Sequence, residues 1–235
     1  MSAMLASVNS LEEALVVLQA DVDIIDLKQP ALGALGALQT QQVASIVTAL
    51  AQQKPISATV GDLPMQADII YNAVKAMADT GVNYIKIGFF PNQDWQQVIE
   101  KLKTLNQQSL KLIAVLFADQ EPDFKAIEQL AEAGFSGVML DTMNKANGSL
   151  TQVMPFTEIQ QFVVMTKEHK LLCGLAGSLR IADIPVLLPL EADYLGFRGA
   201  LCKKHQRTAT LDAKAIQAIQ AILPSPQQDM GTIII

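Results

Sequence analysis

Eight short apolar runs alternate with eight longer segments of helical spacing, which predicts an α/β fold, a single-domain (β/α)8 TIM barrel. Each run-plus-helix unit takes roughly 30 residues, the size of one unit of such a barrel. No linker or low-complexity stretch divides the 235-residue chain. An open doubly wound sheet is the other way to assemble the same alternation.

The strand runs are expected at 4–8, 23–28, 56–60, 84–88, 112–117, 137–141, 171–175 and 194–197. Helices are expected at 11–19, 40–52, 65–80, 94–105, 123–133, 156–170, 181–188 and 212–222. Leu11, Ala14, Leu15 and Leu18 illustrate the spacing that gives a helix one buried face. Asp94 and Asp123 stand where N-caps stand, and Gly134 where a helix stops. The segment 224–235 is read as a tail. Its apolar end, Thr232-Ile233-Ile234-Ile235, is expected to pack on the barrel or on a second copy, so a homo-oligomer is expected.

Composition narrows the function classes. Half of the chain is hydrophobic and the net charge is -6, with no lysine- or arginine-rich run, so nucleic acid is not an expected partner. No run of about 18 apolar residues suggests a membrane span. The N-terminus has no basic region before its apolar stretch and meets Glu12 and Glu13 early, unlike a signal peptide, so a cytoplasmic location is expected. Two cysteines, Cys173 and Cys202, form no CxxC pair. His169 and His205 stand in no metal-ligand spacing, and neither a GxSxG elbow nor a phosphate-cradling GxGxxG is present. No metal or cofactor is expected.

Lysine placement carries the chemistry. Lys28 closes the apolar run Asp23-Ile24-Ile25-Asp26-Leu27-Lys28, and Lys86 sits between isoleucines in Tyr84-Ile85-Lys86-Ile87-Gly88. An unpaired buried ammonium is costly, so two such lysines point to amine chemistry: a carbonyl-trapping lysine and a neighbouring cation that favours its free amine. In barrel enzymes the site lies at the C-terminal strand ends. Strands two, four, six and eight bring Lys28, Lys86, Asp141 and Arg198, which alternate-strand layering would set at one level, with Asp26 one layer deeper. Taken singly, each has an ordinary reading. A strand-end lysine is commonly a solvated rim residue, Asp26 and Asp141 can cap loop backbone, Lys145 can be a surface loop residue, and Arg198 can be a salt-bridge partner.

Two glycine loops add a second signal. Gly174-Leu175-Ala176-Gly177-Ser178 follows strand seven and Gly196-Phe197-Arg198-Gly199-Ala200 follows strand eight, where barrels often bind phosphate. Gly177, Ser178, Arg198 and Gly199 are therefore candidate phosphate ligands, and Ser57, near the end of strand three, is a candidate substrate contact. The long connection 28–37 after strand two has the length typical of functional loops.

At these residues the chain resembles the (5-formylfuran-3-yl)methyl phosphate synthase family of methanofuran biosynthesis. The stretches that carry the likeness are 23–30, 33–37, 57–62 with Pro64, 84–88, 139–142 with Lys145, 176–178 and 196–202. They run in order through nearly the whole chain. The resemblance implies a barrel that joins two molecules of glyceraldehyde 3-phosphate into a phosphorylated furan aldehyde, losing one phosphate and water. It implies that Lys28 is the Schiff-base lysine and that Lys86, Asp26, Asp141 and Lys145 are its active-site companions. The chain departs from the family pattern around 106–123, where Phe117-Ala118-Asp119 follows strand five. Two other activities fit the same residues: a Schiff-base aldolase that stops at the first carbon–carbon bond, and a phosphosugar-binding barrel without catalysis.

Overall fold

A computed structural model describes residues 2–91, 93–106 and 110–223. The tail assigned to 224–235 lies outside the described residues. In chain order the main elements are β1 (Ala3–Val8), α1 (Leu11–Gln19), β2 (Ile24–Leu27), α2 (Thr40–Leu50), β3 (Ile56–Thr59), α3 (Ala67–Ala78), β4 (Tyr84–Gly88) and α4 (Trp95–Asn106). They continue with β5 (Leu112–Phe117), α5 (Ala126–Glu132), β6 (Gly137–Asp141), α6 (Leu150–Val153), α7 (Phe156–Glu168), β7 (Leu172–Leu175), α8 (Ile184–Leu187), β8 (Tyr194–Phe197) and α9 (Ala213–Gln220). The eight strands pair in sequence order, all parallel, and β1 pairs β8, which closes the barrel and excludes the open sheet.

Local chemistry explains where the elements stop. Ser10 caps α1 by accepting from the Glu13 N–H, and Asp94 accepts from the Gln96 N–H at the start of α4. The α2 helix ends at Leu50 rather than at 52 because Ala51 and Gln52 turn left-handed. Gly134 adopts the positive φ that ends α5. Asp123 caps the turn before α5 instead of the helix itself, which begins at Ala126. The helix expected at 181–188 breaks into a 3-10 turn, the short α8 and a second 3-10 turn. Pro185 and Pro189 withhold two backbone donors there. The α6 turn inside the β6–α7 connection was not expected. Ser149 and Gln152 form its capping box.

Two apolar cores result. The larger fills the layer between strands and helices, with Val17, Ile46, Val74, Leu102, Leu130, Phe162, Leu187 and Ile219 facing inward from successive helices. The smaller fills the barrel interior and includes Leu5, Ile24, Tyr84, Ile113, Val115, Met139 and Tyr194. Combining the pairing register with the strand tilt of such a barrel, about one residue of level per strand, sorts the inner face into layers. Ile24, Tyr84 and Tyr194 lie low; Asp26, Lys86, Met139 and Gly196 share a middle layer; Lys28, Gly88, Asp141 and Arg198 form the C-terminal rim. This corrects the expected level of Lys86, which lies beside Asp26 and one layer below Lys28.

The low layer depends on one missing side chain. Gly174 is paired directly with Tyr194, and a Cβ on Gly174 would run into the Tyr194 ring. Gly174→Ala is expected to destabilise the barrel by about 1–3 kcal/mol through overpacking. The same change should cost less when Tyr194 is replaced by Leu. Urea unfolding of the four proteins, taken as a double-mutant cycle, measures the difference.

Candidate active site

Asp26 is the centre of the middle layer. Its carboxylate is fully buried. Oδ1 lies 2.5 Å from the Lys86 Nζ and accepts a 2.7 Å hydrogen bond from the Ser57 hydroxyl, while Oδ2 accepts one of 2.7 Å from Ser7. Four consecutive strands, β1 to β4, thus meet on one side chain. Burial pushes the Asp26 carboxyl up, but the ammonium groups of Lys86 and Lys28, with the hydrogen bonds from Lys86 and Ser57, hold it below the usual carboxylate value. Burial lowers Lys86 below an ordinary lysine, opposed by Asp26 and reinforced by Lys28. Ser57 does not reach the upper cavity. Its hydroxyl is committed to Asp26 from below, so the expected substrate contact is replaced by support of the pair.

Asp141 is the centre of the rim. Oδ2 stands 3.8 Å from the Lys28 Nζ; Oδ1 pairs with Lys145 and accepts from the Thr142 N–H at 2.8 Å. Lys145 also donates to the Thr142 carbonyl at 2.5 Å. Burial raises the Asp141 carboxyl, yet Lys145 and Lys28 keep it below the usual value. Burial brings Lys145 down to about 8, with Asp141 opposing and Lys28 and Arg207 assisting. Lys28 is 6% exposed, and its nitrogen makes no hydrogen bond to the protein among the described residues. Three lysines face two aspartates here, so the cavity has excess positive charge and suits an anionic ligand.

A cavity of about 220 Å³ joins these layers to solvent, lined by Asp26, Lys28, Lys86, Asp141 and Lys145 and by the loops after β7 and β8. Gly177 and Ser178 are both left-handed, at φ 107° and 48°. A Cβ on Gly177 would lie 2.8 Å from the Thr142 Cγ2, so glycine lets this loop press against the β6 end. The Gly177 and Ser178 N–H groups have no acceptor among the described residues. Gly199, after the adjacent strand β8, lines the same cavity.

Arg198 lines this cavity but is committed elsewhere. Its guanidinium pairs with Glu13 and donates to the Arg207 carbonyl at 2.7 Å, Ser7 at 3.1 Å and Ala209 at 3.3 Å. The expected phosphate role gives way to a brace between β8, the start of α1 and the loop after β8. Arg180, His205 and Arg207 also line the cavity, Arg207 being held in part by the carbonyls of Pro30 and Gly33. Sequence reasoning did not pick out these three as cavity-lining residues, because they lie in irregular loops without a period to assign an orientation. Ser7 was also missed, although alternation with Leu5 places it on the inner face.

The loop after β2 folds over the mouth. Asp62 accepts from the Ala34 and Leu35 N–H groups at 2.8 and 2.7 Å, and Gly33 at φ 121° leaves room for that carboxylate. Thr59 donates to the Gly36 carbonyl at 3.1 Å, and Arg207 donates to the carbonyls of Pro30 and Gly33. Leu35 is buried over the barrel next to Gly88. Among the described residues there is no cluster of histidine, cysteine, aspartate and glutamate able to hold a metal, and no helix long and apolar enough to cross a membrane.

The Asp26 shift fixes a pH dependence. Its carboxyl titrates lower in the folded chain than in the unfolded one, so the unfolded chain takes up the proton first. The stabilisation is complete above the ordinary value of about 3.9 and is lost as pH falls through the folded value. Asp26→Asn is expected to lower stability at neutral pH by about 3–5 kcal/mol, because Lys86 stays buried without its anion. It should also weaken the loss of stability on acidification. Urea unfolding of both proteins at pH values above and below the carboxylate range checks both effects.

Comparison with known proteins identifies the family. A family model described as 4-HFC-P synthase matches residues 4–220. A Methylorubrum extorquens protein, provisionally named (5-formylfuran-3-yl)methyl phosphate synthase, is 39% identical over 227 residues, covering 96% of this chain and 94% of the relative. The (5-formylfuran-3-yl)methyl phosphate synthase of Methanopyrus kandleri is 31% identical over 207 residues, covering 83% of this chain and 87% of the relative. Among solved structures, a 3-hexulose-6-phosphate synthase superposes with a TM-score of 0.65 over 94% of this chain and 100% of its own, at 17% identity, a likeness of fold alone. With the match spanning all eight strands, the chain belongs to the 4-HFC-P synthase family.

Proposed function

We propose that this chain is a lyase that condenses two molecules of glyceraldehyde 3-phosphate into (5-formylfuran-3-yl)methyl phosphate through a Schiff base on Lys28. The observation that carries this reading is the state of the Lys28 amine. It opens into the cavity with no hydrogen bond to the protein among the described residues, while Lys86 and Lys145 are each tied to a carboxylate. A nucleophile needs a lone pair free of hydrogen bonds, and Lys28, whose ion pair with Asp141 is long at 3.8 Å, is the lysine of the three placed to present one.

In this scheme the Lys28 amine attacks a triose-phosphate carbonyl and water leaves as the imine forms. The iminium withdraws electrons from the adjacent carbon, which loses a proton, and the resulting enamine adds to the second aldehyde. Elimination of one phosphate, ring closure and dehydration then form the furan, and hydrolysis of the C=N bond returns the carbonyl and frees the Lys28 amine. Lys86, donating to Asp26, and Asp141, between Lys28 and Lys145, are the groups positioned to move protons. Gly177, Ser178 and Gly199 offer backbone and hydroxyl donors to the retained phosphate, and Arg180 and Arg207 supply charge at the mouth. Anchoring that dianion fixes the reacting carbons relative to Lys28.

Borohydride reduction in the presence of glyceraldehyde 3-phosphate should leave a stable adduct on Lys28, found by peptide mass spectrometry. Product formation is followed by the ultraviolet absorbance of a conjugated furan aldehyde and by phosphate release. Lys28→Arg, which keeps the charge but is too basic to act as the amine, should abolish adduct and product. Trapping on Lys86 or Lys145 instead would refute the assignment, and adduct without furan or phosphate release would mark an aldolase.

A further inference from the structure

The segment Phe117-Ala118-Asp119, where the chain departs from the family pattern, acquires a role in the fold. Beyond β5 the chain makes a 3-10 turn, Ala118–Gln120, that turns Asp119 toward the neighbouring strand end. Its two carboxylate oxygens accept from two consecutive backbone N–H groups of the loop after β6, Met143 at 2.6 Å and Asn144 at 2.8 Å. Asn144 in turn caps the 3-10 turn Lys145–Asn147 by accepting from the Ala146 N–H at 3.0 Å. Lys145 is the first residue of that turn, and its ammonium reaches back to Asp141 and to the Thr142 carbonyl. The links form one line: Asp119, the 143–144 backbone, Lys145, Asp141.

We propose that Asp119 is a positioning residue for Lys145: by gripping the two N–H groups that precede it, Asp119 holds the loop after β6 in the one conformation that sets the Lys145 ammonium against Asp141. Asp119 touches neither Lys145 nor the upper cavity lining, so it acts only through the loop. A bidentate grip on adjacent donors fixes the direction of the chain as well as its position, because a carboxylate accepting from an ordered pair of amides leaves little rotational freedom. The loop after β2, which leads from Lys28, is held in the same way by Asp62 on the Ala34 and Leu35 N–H groups. In both cases a carboxylate after an odd strand braces the loop of an adjacent even strand that bears a lysine of the site.

The inference rests on the part given to Lys145 in the proposed reaction, but its test does not. The charged groups facing Lys145 are Asp141 from β6, Lys28 beyond β2 and Arg207 from the loop after β8. While the loop is held, burial keeps this ammonium titrating at about 8. Released into solvent, it should titrate toward the ordinary lysine value of about 10.4. The full chain is acylated with acetic anhydride over a range of pH, and modification of the Lys145 peptide is read by mass spectrometry. Asp119→Ala should move the midpoint up by at least about one pH unit, with a melting temperature near that of the unaltered protein. Asp119→Asn keeps one acceptor oxygen and should fall between the two. Turnover should drop by roughly 10²-fold in kcat with KM little changed. A midpoint that stays at the wild-type value in either folded variant overturns the proposal and leaves Asp119 an ordinary loop contact. If the unaltered chain makes no furan from glyceraldehyde 3-phosphate, the reaction assignment fails, while the Lys145 midpoint still decides the clamp.

Discussion

The structure depends most on a charge buried inside the barrel. Lys86 lies on the inner face of β4 and is 3% exposed, and a lone ammonium there would be prohibitively costly. Asp26 answers it from β2, and Ser7 and Ser57 satisfy the remaining carboxylate acceptors from β1 and β3. A buried ion pair of this kind is a poor source of stability, because desolvation offsets much of the attraction. What it imposes is arrangement. Four strands meet at Asp26, so the pair ties together the register of β1 to β4.

Above this saturated layer the rim is under less constraint. Asp141 shares itself between Lys145, the Thr142 backbone and a more distant Lys28. The lower layer is thus closely paired, while the upper one keeps a longer, 3.8 Å contact between Lys28 and Asp141. The loops around the rim are steadied by carboxylates as well as by packing: Asp62 on the loop after β2, Asp119 on the loop after β6, Glu13 on Arg198. Such braces use backbone amides and guanidinium donors that irregular loops would otherwise leave unpaired. The mouth can therefore be polar and still well defined.

Much of the fold was legible because its signals are local. The alternation of apolar runs and amphipathic segments located all eight strands, and β7 differs from expectation only in starting at Leu172 rather than at 171. Where the reading erred, a short-range effect outweighed periodicity. Two prolines broke the helix expected at 181–188, and left-handed residues ended α2 early. The site was legible in part for the same reason. Lys28, Lys86, Asp26 and Asp141 lie on or at the ends of strands, where a period of two assigns a face. Arg180, His205 and Arg207 lie in loops, where nothing does. Arg198 was misjudged because its rim position is visible in sequence and its partner Glu13, 185 positions away, is not.

The linear chain therefore determined the class of fold and the inward direction of the charged strand residues, since both follow from spacing within a few neighbours, and its motifs carry the resemblance to the family. Tertiary structure alone decided which carboxylate pairs with which lysine, which arginine is spent on scaffolding, and which lysine keeps only a long contact to its carboxylate. Those outcomes depend on the closure of the barrel and on the levels its stagger imposes, and a contact made by strands far apart in sequence leaves no local pattern to read.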